Sequence, residues 1–473
     1  MRNEPAPRIA YLVSQYPATS HTFIRREIAH LRSQGLEVDT FSVRRARVEA
    51  LVSDADRREA ESTHSILPTS LKKLATAHGR TLLRHPDRYL QVLRQAVRNR
   101  VPGSRALVWS LFHFGEAMLL VDELRERGAT RVHTHFANAG AQVSLLAAAY
   151  LKLPWSLTLH GPSDYEYPSS ELLAHMVDAA DFVACISHYG RSQAMLRVPS
   201  RLWEKLHMVR CGLDTVELQR VAPKSRDTEG PVRLLCVARL DRQKALEGLV
   251  EAVGEVVDSN VDLQLRLVGA GPDQAALRSY IRVRGLTGRI KLLGPLGGRD
   301  LWSEFLGADM FAMSSLMEGL PVVLMEAMTL GLPVIAPRVA GIPELVVDEE
   351  TGLLYHPSDW SGLAACIRRL AADEDLRSRL AARARDKVTV QHGVEVACEP
   401  LLRLLTSSAR DGEAAQVDVI APQPTHSSVQ PPLPTAATAS AVQSSISAPE
   451  VSVPTDAGPV PDTTGTPELV PAR

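Results

Sequence analysis

The chain has 473 residues, with 53 Lys or Arg against 54 Asp or Glu and a formal net charge of −1. That length supplies two domains and some excess, and the balanced charge argues against nucleic acid or any other polyanion as a partner of the whole molecule. Five cysteines (Cys185, Cys211, Cys236, Cys366 and Cys398) form no C-x-x-C pair, and three sit in apolar runs, so reduced, buried thiols in a cytosolic protein are expected.

The opening stretch, MRNEPAPRIAYLVSQYP, has an apolar part too short for a signal peptide and no small-residue cleavage site. No window reaches the roughly 18 to 20 apolar residues of a membrane span. The expected location is therefore cytoplasmic. Strands are predicted at 8–16, 37–44, 131–137, 155–161, 181–187 and 206–212, then at 232–240, 264–271, 290–295, 308–315, 333–338 and 352–357. Helical periodicity lies between most of them, as in FIRREIAHLRSQG. Alternation of this kind, repeated twice, predicts an α/β protein of two Rossmann-like, doubly wound domains facing across a cleft. The domains are expected at 1–222 and 223–410, with a polar linker at 221–231 and the last helix packing back on the first domain. A ligand is expected in the cleft, at the carboxyl ends of the strands.

Two regions depart from this plan. Residues 66–128 read as a helical insert, and 71–105 hold nine Lys or Arg (Lys72, Lys73, Arg80, Arg84, Arg88, Arg94, Arg98, Arg100, Arg105) against one acid, Asp87. A solvated helical face beside a core helix is one reading, and adsorption to an anionic membrane surface is the other. The tail 411–473 is rich in Pro, Ala, Ser and Thr, with eleven prolines in the last 53 residues and no aromatic. It lacks the apolar surface to offset its ordering entropy and is expected to be disordered.

The most informative stretch runs from Glu318 to Glu326, EGLPVVLME. Eight residues of helix turn through two full turns plus about 80°, so a wholly helical pair of carboxylates would not share a face. Pro321 suits the first helical position, which puts Glu318 in the preceding loop and Glu326 in the second turn. The free N–H groups and positive dipole end of that helix favour phosphate. Upstream, Arg239 ends a strand and Lys244 follows five residues later, a cation pair suited to a diphosphate. In the first half, His160 ends a strand, with Gly-Pro behind it and Asp164 beyond, a tight loop that would present the imidazole to the cleft. His133 and His135 share one face of a strand, but the sequence offers no third ligand, so they read as core rather than metal ligands. The triplets Asp54-Ala-Asp56 and Asp373-Glu-Asp375 read as helix acids, and neither GAGP nor GPLGG completes a dinucleotide or P-loop motif.

With these residues in view, the chain resembles the retaining glycosyltransferases of family 4, from about residue 8 to 405 and most closely over 300–357. Its opening, YLVSQYPATSHTFIRREIAHLRSQG, is similar to transferases that assemble exopolysaccharides, the colanic-acid type among them. There His21 stands where those enzymes often carry Glu, and the loop has no Gly-Gly pair. The resemblance implies the GT-B fold, with Glu318 near the donor sugar, Glu326 on the ribose hydroxyls, and Arg239 and Lys244 on the diphosphate. It further implies that Gly319, Leu320 and Pro321 give backbone groups to phosphate or sugar and that His160 lies beside the reacting sugar. The expected reaction is transfer of a hexosyl unit from a UDP- or GDP-linked sugar to a glycan, lipid-linked acceptor, with retention of configuration and without a metal or other cofactor. An epimerase or soluble-acceptor synthase of the same fold, or a non-catalytic nucleotide-sugar-binding protein, stands as the alternative.

Overall fold

The computed structural model describes residues 7–407 apart from 19–20, 49–50, 52 and 221–229. The tail expected at 411–473, the boundary at 222/223 and nearly all of the 221–231 linker lie outside the described residues. Thirteen strands are seen among them. The first sheet holds β1 (Arg8–Gln15), β2 (Glu37–Arg44), β3 (His64–Leu67), β4 (Arg131–His135), β5 (Trp155–Leu159), β6 (Val183–Cys185) and β7 (Leu206–Met208). The second holds β8 (Val232–Val237), β9 (Leu263–Val268), β10 (Ile290–Gly294), β11 (Met310–Ala312), β12 (Val334–Pro337) and β13 (Leu353–Tyr355).

The strand orders are β3-β2-β1-β4-β5-β6-β7 and β10-β9-β8-β11-β12-β13. Every ladder is parallel. Parallel strands need crossover connections, so helices cover both faces and the strands become apolar runs. β4 and β5 are buried at all five positions each. Each sheet reverses its strand order once, between β1 and β4 and between β8 and β11, and a crevice opens there beyond the carboxyl ends of the strands.

Three features correct the sequence reading. β3 is a strand at the start of the stretch read as helical from 66, although helices do follow at Leu71–Arg84, Pro86–Arg98 and Ser104–Glu126. Several predicted strands are shorter, most of all 308–315, which pairs only over Met310–Ala312. Pro321 is the residue before the helix rather than its first member: it is extended (φ −74°, ψ 112°), and the helix is Val322–Thr329. The pyrrolidine ring fixes φ alone, so ψ was free to take the extended value, and the Pro321 carbonyl accepts the first helical bond from Leu324 N–H at 3.1 Å.

Both sheets lie in one compact unit. The chain crosses back near its end: Leu213 N–H donates to the His392 carbonyl, and Val394 N–H donates to Leu213, each at 2.8 Å. The final helix, Val394–Thr406, then buries Leu401 and Leu405 with Ile24, Ile28 and Leu31 of the first helix, Thr22–Ser33. Among the described residues no helix is long and apolar enough to cross a membrane.

Candidate active site

The loops after β5 and β11 meet backbone to backbone. A Cβ on Gly319 would lie 1.9 Å from the His160 carbonyl oxygen, and one on Gly161 would lie 3.2 Å from the Gly319 Cα. Only hydrogen fits between these chains, because real Cβ contacts do not fall below about 3 Å. Gly341 N–H donates to the Gly319 carbonyl at 3.1 Å, which pins the loop from its other side. Glu344 ties the halves again, accepting from the backbone N–H groups of His188 and Tyr189 at 2.9 and 2.8 Å. Those N–H groups open the helix His188–Met195 and would otherwise be orphans.

On the second sheet, β8 leads to Arg239 and then to a short 3-10 turn, Arg242–Lys244. The Lys244 carbonyl accepts from the Ser314 hydroxyl at 2.7 Å, and Leu316 N–H donates to the Gln243 carbonyl at 2.8 Å, so the turn is fastened to the loop after β11. Lys244 Nζ reaches Glu318 Oε1 at 2.5 Å, with both side chains largely shielded from solvent. Glu318 thus turns toward a cation rather than only leaning over the helix start. Arg239 is not part of this pair: it is 62% exposed and bonded to Asp241, with Gln243 at 3.5 Å. Leu320 is buried. Glu326, in the second turn of the helix, pairs with Arg26 of the first helix at 2.8 Å, again with little exposure of either partner.

On the first sheet, Asp164 is buried and its carboxylate accepts from the N–H groups of Ala137 (2.7 Å), His160 (2.6 Å) and Gly161 (3.1 Å). Burial raises its pKa above the ordinary value, while those three donors pull it back. This carboxylate shapes the turn on which His160 sits. The His160 ring packs between Phe23 and Phe136, with centroids at 4.7 and 4.6 Å, and its Nε2 lies 2.8 Å from His135 Nδ1. Burial first, then the neighbouring His135, His21 and His133, hold its pKa well below the usual value, so the imidazole is neutral near pH 7.

The sequence hid one member of this group. His133 and His135 are fully buried as expected, but Glu27 of the first helix comes beside them, with Oε1 3.2 Å from His135 Nε2. The three can bring one ligand atom each within 4.8 Å, a correction to the absence of a third ligand. His133, however, already meets hydroxyls on both ring nitrogens, Ser156 at 2.8 Å and Thr158 at 3.0 Å. Glu27 did leave a trace in the sequence: it stands on the apolar stripe of Ile24, Ile28 and Leu31, where a charge is costly without a partner. Arg26 and Glu344 left no such trace.

Residues 219–387 match the model of the family described as glycosyl transferases group 1. Over 84% of its length the chain is similar to two curated proteins, each covered to 99% and each 26% identical. One is a glycosyltransferase of Escherichia coli K12 named for colanic acid biosynthesis, WcaL, and the other is the amylovoran biosynthesis glycosyltransferase AmsK of Erwinia amylovora. Among solved structures, Anabaena Alr3699/HepE in complex with UDP and glucose superposes with a TM-score of 0.64, at 17% identity, over 85% of this chain and all of that one. Sucrose-phosphate synthase of Thermosynechococcus elongatus gives 0.61 at 19% identity, over 84% of this chain and 98% of that one.

The glycine contact yields a direct expectation. Gly319→Ala must push the two loops apart, and because a displacement of about 1 Å can cost about 10²-fold in rate, glycosyl transfer should fall by about that factor while the protein still unfolds cooperatively. Steady-state kinetics beside a denaturation curve check this, and unchanged turnover would mean that the contact does not set the site. With the parallel sheets, the switch-point loops and these similarities together, the chain carries a glycosyltransferase group 1 domain within a two-domain GT-B fold.

Proposed function

We propose that this protein transfers a hexosyl unit from a nucleotide diphosphate sugar to a glycan acceptor, lipid-linked, with retention of anomeric configuration, in the assembly of an exopolysaccharide. The observation that carries this reading is the Lys244–Glu318 pair held against the His160–Gly161 loop of the other sheet. An ammonium has three donor hydrogens and a carboxylate has several acceptor sites, so each partner keeps capacity for a ligand while bonded to the other. Lys244 would meet the diphosphate and Glu318 a sugar hydroxyl. The Val322–Thr329 helix start, with Gly319, Leu320 and Pro321, would add backbone groups and a positive dipole end. Arg239, exposed at the strand end, would swing from Asp241 to the same phosphates. Glu326 would hold the ribose hydroxyls, with Arg26 orienting its carboxylate.

In a front-face reaction, charge develops on the leaving diphosphate while the acceptor hydroxyl enters on the same side. Fixed donors aimed at that charge lower the barrier, so Lys244, Arg239 and the helix start would do this without a metal. On the acceptor side, a cavity of about 350 Å³ is lined by Pro162, Tyr165, Tyr189 and Arg197 from one half and Leu316 and Val339 from the other. Aromatic walls with a guanidinium over the Tyr165 ring suit a sugar. The names of the similar proteins, which refer to colanic acid and amylovoran, support an exopolysaccharide product, and the nucleotide in the HepE complex supports a uridine donor.

A cytoplasmic enzyme acting on a lipid-linked acceptor would sit on the inner membrane face. Ion pairs with Glu123 and Asp122 take up Lys73 and Arg80 of the basic insert. Trp109 and Phe112, on the helix Ser104–Glu126, are 45% and 60% exposed. Basic residues with exposed aromatic side chains fit an anionic interface.

Two measurements test this function. Lys244→Ala should lower kcat by about 10²-fold or more, as loss of a single charge-stabilising donor does, and EDTA should leave wild-type turnover unchanged. Activity lost on chelation and restored by Mg²⁺ or Mn²⁺ would overturn the metal-free route. In vesicle co-sedimentation, the wild type should bind phosphatidylglycerol vesicles better than phosphatidylcholine ones, and Trp109→Ala/Phe112→Ala should weaken that binding. Equal partition with both lipids would remove the membrane surface from the scheme.

A further inference from the structure

A line of polar contacts runs from the first helix to the cleft. Tyr11 O–H donates to Glu27 Oε1 at 2.9 Å, and the same oxygen lies 3.2 Å from His135 Nε2, a contact short of ideal hydrogen-bond geometry. Among the described residues no other polar atom is a partner of that nitrogen. On the far side of the ring, His135 Nδ1 and His160 Nε2 are 2.8 Å apart. The two rings are 23° from coplanar with centroids 5.0 Å apart, the geometry of an in-plane N–H···N bond rather than of face stacking. The line ends at His160 Nδ1, which is buried and has no hydrogen-bond partner among the described residues.

The direction of the protons follows from the chemistry of the ends. Burial and the Glu27 charge push the Tyr11 hydroxyl pKa well above the usual 10.0, so it remains a donor. An ionised carboxylate only accepts. A His135 ring that carries its single proton on Nε2, toward that carboxylate at 3.2 Å, has its Nδ1 left as an acceptor. The neutral His160, with a single ring proton, must place that proton on Nε2 to bond it.

We propose that Glu27 and His135 are positioning residues that lock His160 as its Nε2–H tautomer and so aim the Nδ1 lone pair at a hydroxyl of the bound sugar. This rests on the proposed role of His160 beside the reacting sugar. A ring nitrogen's tautomer is set by the hydrogen bond its other nitrogen makes, and a wrong tautomer disables an imidazole whose position is otherwise intact. The Glu27, His133 and His135 cluster is then a hydrogen-bonded one, in which both His133 nitrogens are already engaged by hydroxyls.

The test is ¹⁵N NMR of histidine-labelled full-length protein without ligand, with His160 assigned by its loss in His160→Gln. His160 should show a pyrrole-type Nε2 and a pyridine-type Nδ1. Glu27→Gln keeps a side-chain oxygen acceptor and should preserve that pattern. Glu27→Leu should move the proton toward Nδ1 and lower kcat by about 10²-fold, with donor KM within twofold of wild type. A wild-type His160 protonated at Nδ1 would overturn the proposal even if no Glu27 variant folded. So would stoichiometric metal in the purified protein, because the lone pairs would then be on the ion. A tautomer switched in Glu27→Leu with kcat unchanged would uphold the lock and instead remove His160 from the reaction.

Discussion

The structure depends on one place where two backbones touch. Gly319 lies against the His160 carbonyl so closely that no side chain fits between them, and this contact joins the carboxyl ends of two separate parallel sheets. Everything proposed for donor and acceptor is arranged around it. Lys244 and Glu318 lie on one side, while His160, Gly161 and the Asp164 turn lie on the other. Glu344 bridges the same junction from farther out, and Arg26 reaches Glu326 across it. A doubly wound sheet gathers its functional loops at the point where strand order reverses. Two such sheets turned toward each other therefore place two sets of loops in one crevice.

The two sides of that crevice differ in electrostatic character. Around the second sheet's switch point, charge is held in pairs: Lys244 with Glu318, Arg239 with Asp241, Arg26 with Glu326. The Lys244–Glu318 and Arg26–Glu326 pairs are shielded from solvent, so removing one partner of either would leave an uncompensated charge. The first sheet instead presents His160, His133 and His21, all with lowered pKa values; burial is the main cause in each, and His21 falls to about 4. Neutral imidazoles suit recognition of hydroxyl groups. In the proposed transfer they would leave the diphosphate as the principal charge to be stabilised.

Much of this architecture was legible in the sequence, for a physical reason. Parallel strands buried on both faces must be short apolar runs, and twelve of those runs stood apart from the amphipathic helices between them. β3 escaped because the four residues His64–Leu67 form an edge strand with too little apolar content to stand out. The carboxylate pair of Glu318 and Glu326 was visible because a proline between them marks a loop-to-helix change. Which cation each would meet was not visible: Arg26 and Glu326 are 300 positions apart, and no periodicity encodes a contact between two sheets. Glu27 falls between these cases. Its place on an apolar stripe announces buried partners, and only the fold reveals that they are Tyr11 and His135.

The central claim is that the second sheet's switch point holds a nucleotide diphosphate sugar through Lys244 and Glu326. Thermal unfolding against UDP, GDP, ADP and their common sugars tests it most directly. A ligand at about 100 times its Kd adds about 2.7 kcal/mol by mass action. At least one nucleotide should therefore raise the midpoint of the wild type, and Lys244→Ala and Glu326→Ala should lose that rise. A flat response across the whole panel, or an undiminished rise in both variants, would contradict the account.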